Sequence, residues 1–363
     1  MTRYLVVRVS QSVAVLIIVS VIVFAILHFL PGSPARAMLG IHATPGAIAA
    51  FNAANGYNRA LPVQYLLYVD RLLHGNLGFS YHFDQSVGSL LRLDLPKSAV
   101  LVGASYVLAL LIAIPMGIVQ ALRREKVLDH TLTTFSFVGY AMPTFWLGIL
   151  LIVWFSADLH MFPSEGPQGA SVTAALGDPS ALVLPVATLT IVTVAQFSRY
   201  MRASAIENLL QDYIRTAQAK GLSTWHIVTR HLLRNSILPI ITLVGLSLPA
   251  VLSGAIIVEA LFNYPGMGWL FWTATGAHDY PVLLGFTIVI AAATVIGNLL
   301  ADIAYAMADP RVRYQRARPQ PTFWTRAPSC CRASLQPADA RCAGSSGTSP
   351  ATAWASSGWL CSS

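Results

Sequence analysis

Six stretches of the sequence are each long and apolar enough to cross a hydrocarbon layer, near Val9–Leu30, Ser98–Leu122, Leu132–Phe155, Leu182–Ser198, Ile237–Phe262 and Val282–Met307. About 20 residues of helix are needed for such a crossing. A lipid interior offers no water to backbone N–H and C=O groups, so runs of this kind satisfy themselves there as α-helices. Of the 363 residues, 55% are hydrophobic and only 10% are charged, whereas a soluble domain is about a quarter charged. The expected fold is therefore all-α and integral to a membrane, with six transmembrane helices. Arg3 and Arg8 precede the first stretch, and Ala35-Arg36-Ala37 follows it as a small-residue site of the kind cleaved after a secretory signal. The run is too long for a signal, and Pro31 and Pro34 lie before the cut, so it is read as a retained span.

Orientation follows from where Lys and Arg fall, because cytoplasmic loops collect them. Arg3, Arg8, Arg123, Arg124, Lys126, the basic residues from Arg199 to Arg234, and Arg311 and Arg313 all fall on one side of a six-span chain. The loops Asp158–Asp178 and Asn263–Pro281 contain acids and no Lys or Arg. Both termini are thus expected to be cytoplasmic. The first external loop, Pro31–Lys97, holds five basic residues but is too long to obey the rule. Within it, Leu61–His74 reads as an amphipathic helix with Leu66, Val69, Leu72 and Leu73 on one side. Pro115, Pro143 and Pro249 favour kinks in the spans, and Gly103, Gly117, Gly148, Gly245, Gly254, Gly285 and Gly297 permit close helix approach. Half of the net charge of +8 lies in residues 315–363, which carry 5 Arg and 1 Asp. No basic surface interleaved with aromatics points to nucleic acid.

The polar, basic stretch after the fourth span, about residues 200–236, reads as helix, break, helix. Ile206, Leu209, Leu210, Tyr213 and Ala217 recur at helical spacing, while Arg202, Glu207, Asp212 and Arg215 keep the other faces wet. Gly221 sits where a helix end wants a left-handed residue, with Lys220 at the negative end of the dipole. Ser223 is placed to cap a second helix bearing Leu222, Trp225, Val228 and Leu232 as its apolar stripe. Such a pair either lies on lipid headgroups or lays its ridge in a groove of a soluble partner. Periodicity does not choose between the two.

Two acids lie within apolar spans, Glu259 and Asp302. Each costs at least ~2.5 kcal/mol at the bilayer centre unless it meets water or a partner.

Several ordered segments carry a resemblance. Ala217, three intervening residues and Gly221 stand within Tyr213-Ile214-Arg215-Thr216-Ala217 and Ala219-Lys220-Gly221-Leu222, followed by Arg230-His231, Leu233-Arg234-Asn235 and Leu238-Pro239. This stretch resembles the cytoplasmic signature loop of permease subunits of ABC importers, in the dipeptide, oligopeptide and nickel branch. The general signature begins with Glu and has Leu-Pro sooner after the glycine; Arg215 and Leu233-Arg234 stand there instead, as is usual in this branch. Gly75-Asn76-Leu77-Gly78-Phe79-Ser80, Tyr140 through Gly148 with its Pro143-Thr144-Phe145-Trp146, Glu259 through Gly268, and Asp302 with Tyr305 and Asp309-Pro310-Arg311 also resemble the family. At Leu95-Pro96-Lys97-Ser98 the chain departs from the family's more common Pro-Ala-Thr. The likeness runs from about residue 3 to about residue 314.

The resemblance implies a type I importer permease in the inner (plasma) membrane, moving dipeptides or oligopeptides; relatives also carry nickel or glutathione. It implies a second homologous permease, two cytoplasmic ATPase subunits and an external solute-binding protein, either periplasmic or a lipoprotein. It assigns ATPase coupling to Asp212, Tyr213, Arg215, Thr216, Ala217, Ala219, Lys220, Gly221 and Leu222. Glu259, Pro265, Gly266 and Asp302 are pathway or packing residues. The expected division is 1–96 for the first span and external loop, 97–314 for the permease core and 315–363 for a disordered cytoplasmic tail.

No Gly-x-x-x-x-Gly-Lys-Ser/Thr loop is present, so ATP is expected on the partners and no cofactor on this chain. His-Glu-x-x-His and Gly-x-Ser-x-Gly are absent too, and His28, His160 and His278 are isolated, so neither a catalytic set nor a metal site is expected. The alternatives are an intramembrane enzyme and an ion-coupled carrier working alone, the latter typified by inverted repeats that are not evident here. The last 49 residues hold all four cysteines, Cys330, Cys331, Cys342 and Cys361, without zinc-site spacing. Their abrupt change of composition suggests a reading-frame change or cloning junction after Arg313, which resequencing the coding region tests.

Overall fold

In the computed structural model the described residues, 2–29, 35, 39–40, 43–80, 82–169 and 171–308, are almost all helical. The organising pair is α4 (Val87–Leu122) and α8 (Pro179–Leu209), which lie against each other along much of their length. Gly117 lets them close: a Cβ there would stand 2.6 Å from Met201 Cβ and 2.9 Å from Arg202 N. Gly103, by contrast, faces open space.

Helix α4 begins at Val87, well before the apolar run. Ser86 starts it by accepting the Ser89 N–H at 3.2 Å, and its first turns carry Asp94 and Lys97 as a buried ion pair at 2.7 Å. Paired in this way, the two charges can lie in a buried helix that neither could enter alone. Pro96 and Pro115 lie inside α4 without ending it. At the start of α8, Asp178 accepts from the Ser180 hydroxyl at 2.6 Å and the Ala181 N–H at 3.3 Å. These bonds hold its carboxyl below the usual carboxylate range.

The third expected span is not one helix. It consists of α5 (Val127–Ala141) and α6 (Thr144–Leu151), the latter continuing as a π-helical turn over Ile152–Asp158, and the two parts are bent by 105°. The cause lies in Met142-Pro143: the residue before a proline is driven out of the helical region, and Met142 is extended at φ −76°, ψ 128°. The fifth span is also divided, into α11 (Leu238–Ser253) and α12 (Ile256–Leu261). Its break falls at Gly254, where φ is +75°, while the helix continues through Pro249.

Among the described residues four helices are long and apolar enough to span, and a fifth crossing is present if the bent α5–α6 pair is counted as one, against the six expected. Helix α1 (Thr2–Phe29), with its apolar Ser10–Ile26, packs on α14 (Tyr280–Ala308). Before α4 come α2 (Pro45–Asn55), α3 (Leu61–Leu73) and a two-stranded hairpin, β1 (Phe79–Ser80) against β2 (Gln85–Ser86), antiparallel with Phe79 opposite Ser86. Leu66 and Leu73 of α3 are 65% and 80% exposed, so the expected apolar side is not its contact face. Tyr65 and Tyr68 make that contact, with rings against Phe24 of α1 and the Tyr65 hydroxyl 2.8 Å from Ser20 Oγ.

The remaining helices among the described residues are α7 (Val172–Gly177), α9 (Asp212–Ala219), α10 (Thr224–His226, running on through a π-turn over Ile227–Leu232 and a turn over Leu233–Ser236) and α13 (Met267–Gly276). Asp302 falls in α14 with its side chain outside the described residues. Residues 315–363 and Pro31–Pro34 lie outside them altogether.

Candidate functional site

The expected site residues other than Asp302 fall into two groups near opposite ends of α4. From Ser98 to Ala121 a helix rise of 1.5 Å per residue separates them by roughly 35 Å, about the thickness of a hydrocarbon layer.

At one end, α8 stops at Leu209 and a new helix, α9, starts at Asp212, so the continuous helix expected through residue 217 is in fact two. Tyr213 bridges the break by donating its hydroxyl to Asn208 Oδ1 at 2.8 Å. Asp212 occupies the first turn of α9, where a negative charge suits the helix dipole. Its ion pair with Arg215, at 3.4 Å, is exposed and adds little stability. Ile214 and Ala217 are buried in a cluster with Ile118 and Ala121 of α4, Met201 and Ala205 of α8, and Ile240 of α11. Thr216, Ala219, Lys220 and Leu222 are exposed.

The helix ends in a Schellman motif. The Leu222 N–H donates to Ala217 O at 3.3 Å and the Gly221 N–H to Gln218 O at 2.9 Å, with Gly221 at φ +75°. Ser223 then caps α10 by accepting the His226 N–H at 3.4 Å. The expected stripe on α10 is only half buried: Val228 and Leu232 are inside with Ile227, whereas Trp225 is 77% exposed. The product is a short helix rooted by two apolar residues, with its polar side and a neighbouring tryptophan free.

At the other end, Glu259 is fully buried and is satisfied almost wholly by main chain. Its Oε1 accepts from Ser98 Oγ at 2.7 Å and Ala255 N at 3.0 Å, and its Oε2 accepts from Gly268 N at 2.7 Å and Trp269 N at 3.2 Å. The carboxylate thus caps the N-terminus of α13, a position where unpaired N–H groups and the helix dipole favour an anion. Ser98 adds a second cap by accepting the Met267 N–H at 2.7 Å. Pro265 and Gly266 lead directly into this turn. A Cβ on Gly266 would stand 2.5 Å from both Glu259 Oε2 and Ser98 Oγ, so the Pro-Gly pair leaves room for the acid. Tyr264 anchors the segment to α4, its hydroxyl donating to Lys97 O at 2.9 Å. Burial pushes the Tyr264 phenol well above its ordinary value, so it stays a donor.

Two further polar contacts were not visible in the sequence. Arg202 donates its Nε and Nη2 to the two oxygens of Asp129 at 2.8 and 2.7 Å, and Thr133 and the Glu125 N–H complete the carboxylate's partners. Arg202 is therefore a clasp between α8 and α5 and not simply a wet residue. Ser80 in the Gly-x-Leu-Gly-x-Ser segment is buried and donates to the Asp279 carboxylate, tying the hairpin to the start of α14. The available signal was an acid at the edge of an apolar run, Asp129 before the third expected span and Asp279 before the sixth.

Residues 113–314 match the family described as binding-protein-dependent transport system inner membrane component, and residues 1–99 match its N-terminal region. The chain is 35% identical over 316 residues to the oligopeptide transport system permease protein AppB of Bacillus subtilis (strain 168), covering 86% of this chain and all of that one. It is 36% identical over 314 residues to a protein of Escherichia coli (strain K12) named "Probable D,D-dipeptide transport system permease protein DdpB", covering 81% and 92% of the two chains. Among solved structures, a chain of the inward-facing MetNI methionine ABC transporter aligns over 59% of this chain at 18% identity and a TM-score of 0.37.

Proposed function

The chain belongs to the family of binding-protein-dependent transport system inner membrane components, and on that footing we propose that it is one of two membrane-spanning subunits of an ATP-driven importer of dipeptides or oligopeptides. It is a multi-pass plasma-membrane protein and a permease subunit of a peptide-type ABC importer. In this reading the spans are α1, α4, the bent α5–α6 pair, α8, the divided α11–α12 and α14, with both termini cytoplasmic. Residues 1–96, 97–314 and 315–363 are its first span with external loop, its permease core and its tail. A second permease, two ATPase subunits and an external solute-binding protein complete the assembly.

The observation that carries the reading is the rooting of α9. Ile214 and Ala217 are buried among α4, α8 and α11, while Asp212, Arg215, Thr216 and Lys220 are exposed. An ATPase that grips the exposed side displaces α9 as a unit, and the buried side passes the displacement to three spans. ATP biases the transporter between inward- and outward-facing states only so far as the ATPases bind it differently in the two. Glu259, Pro265, Gly266 and Asp302 serve packing or gating of the bundle and not solute contact.

Gly221 supplies the test. Nothing lies within 4 Å of a Cβ built there, so substitution acts through the backbone alone, at about 1–2 kcal/mol for a left-handed residue with a branched side chain. Gly221→Val is expected to raise the ATP hydrolysed per peptide imported in the reconstituted importer, whereas Gly221→Asn, which tolerates positive φ, keeps the ratio. Unchanged coupling in the valine variant counts against the assignment. Co-purification of the full chain in mild detergent is expected to recover a second permease and two ATPases. Recovery without an ATPase, together with uptake by the chain alone, points to an ion-coupled carrier.

A further inference from the structure

We infer that the cleft between α5 and α8 binds the headgroup of an anionic phospholipid, with the phosphate on Arg199 and a headgroup hydroxyl donating to Gln120. The cleft has a volume of 370 Å³, and its walls include Gln120, Thr133, Phe137, Tyr140, Arg199 and Tyr200.

Arg199 and Gln120 give it its chemistry. The Arg199 guanidinium lies 4.7 Å from the centre of the Phe137 ring and 4.9 Å from that of Tyr140. Ring contacts of this kind occupy the faces of a guanidinium and leave its N–H edges for an anion. Among the described residues no carboxylate pairs with Arg199, whereas Arg202 one turn on has both oxygens of Asp129. Gln120 is 1% exposed. Its Nε2 donates to Thr133 Oγ1 at 3.3 Å, while its Oε1 is buried without a partner. A buried orphan acceptor is costly, and this one lines a cleft that also holds an unpaired cation. The ligand that answers both bears an anion and a hydrogen-bond donor.

The mouth of the cleft favours a lipid as the source. Phe137 and Tyr140, which line the cleft, are 52% and 53% exposed, an aromatic wall suited to acyl chains. With Arg199, Arg202 and Asp129 the cleft is net positive, and basic pockets between membrane helices bind anionic headgroups. The inference rests on the membrane reading alone, whichever solute is carried and whichever ATPase is bound.

The test is native mass spectrometry of the full chain, within the complex it purifies in, released from nanodiscs of equimolar phosphatidylglycerol and phosphatidylethanolamine. Wild type is expected to retain phosphatidylglycerol selectively. Arg199→Gln lowers that retention about fivefold, the scale of one basic residue at a headgroup, and Arg199→Lys restores most of it. Gln120→Leu lowers it with the cation in place. Equal retention of phosphatidylethanolamine, an unchanged lipid count in Arg199→Gln, or displacement of the lipid by millimolar glycerol phosphate overturns the inference. None of these readouts moves if only the ATPase partnership is wrong.

Discussion

Replacing Glu259 with alanine is expected to lower the stability of the solubilised protein by at least about 3 kcal/mol, because several donors then lose their acceptor in a buried site at about 1–3 kcal/mol each. The donors are Ser98 Oγ and the N–H groups of Ala255, Gly268 and Trp269, and Glu259 itself is fully buried. Glu259→Gln retains one acceptor oxygen but turns an NH2 group toward donors that need another. Its loss should fall between wild type and alanine. Thermal unfolding in detergent checks the order, and an alanine variant that melts with wild type rejects the clamp. A Gly266→Ala variant adds an independent arm, since its Cβ is directed at the same carboxylate and at Ser98.

Asp129→Ala should have the second largest effect. The Asp129 side chain is 2% exposed and that of Arg202 is 28% exposed, so removing the acid strands a cation that retains some access to water. The expected loss lies toward the lower end of the roughly 3–5 kcal/mol found when one partner of a buried pair is deleted. Arg202→Lys keeps the charge but not the two-pronged geometry and should lose part of the same stability. The decisive comparison is a double-mutant cycle: in an Arg202→Ala background, Asp129→Ala should cost far less than in wild type. Additive losses would show that the clasp between α5 and α8 does not stabilise the bundle.

What the sequence disclosed and what it hid divide along a physical line. The turn at Gly221 was legible because a left-handed helix end needs a glycine beside it and a cap after it, and both signals are local. Of the six expected spans, the apolar runs located four to five that the described residues show as long apolar helices, because burial in lipid is a property of each residue in turn. The bend at Met142-Pro143 was foreseen only as a kink, since a proline fixes its neighbour's backbone but not the angle at which the next helix leaves. The break at Gly254 was missed in favour of Pro249, which the helix accommodates. Least legible were the partners of the acids. Glu259 was marked as costly at its depth, yet its partner Ser98 is 161 residues away, and its other donors are backbone groups that every non-proline residue has. Asp129 and Arg202 are separated by 73 residues, and each alone looked like an ordinary residue at the end of a span.

The main-chain character of the Glu259 clamp has a consequence for how freely this region can change. Of the four donors, three belong to the peptide backbone of Ala255, Gly268 and Trp269, and a backbone N–H is the same whatever side chain it carries. The anchoring of α13 is therefore indifferent to the identity of the residue at 269. Ala255 and Trp269 can drift to other non-proline residues without loosening it. Ser98 and Gly266 cannot, one because its hydroxyl is the bond and the other because its missing Cβ is the space. A library randomised over 254–269 and selected only for membrane-stable protein should come back fixed at 259 and 266 and open at 255 and 269, a mosaic in which adjacent positions differ sharply in the variety they admit.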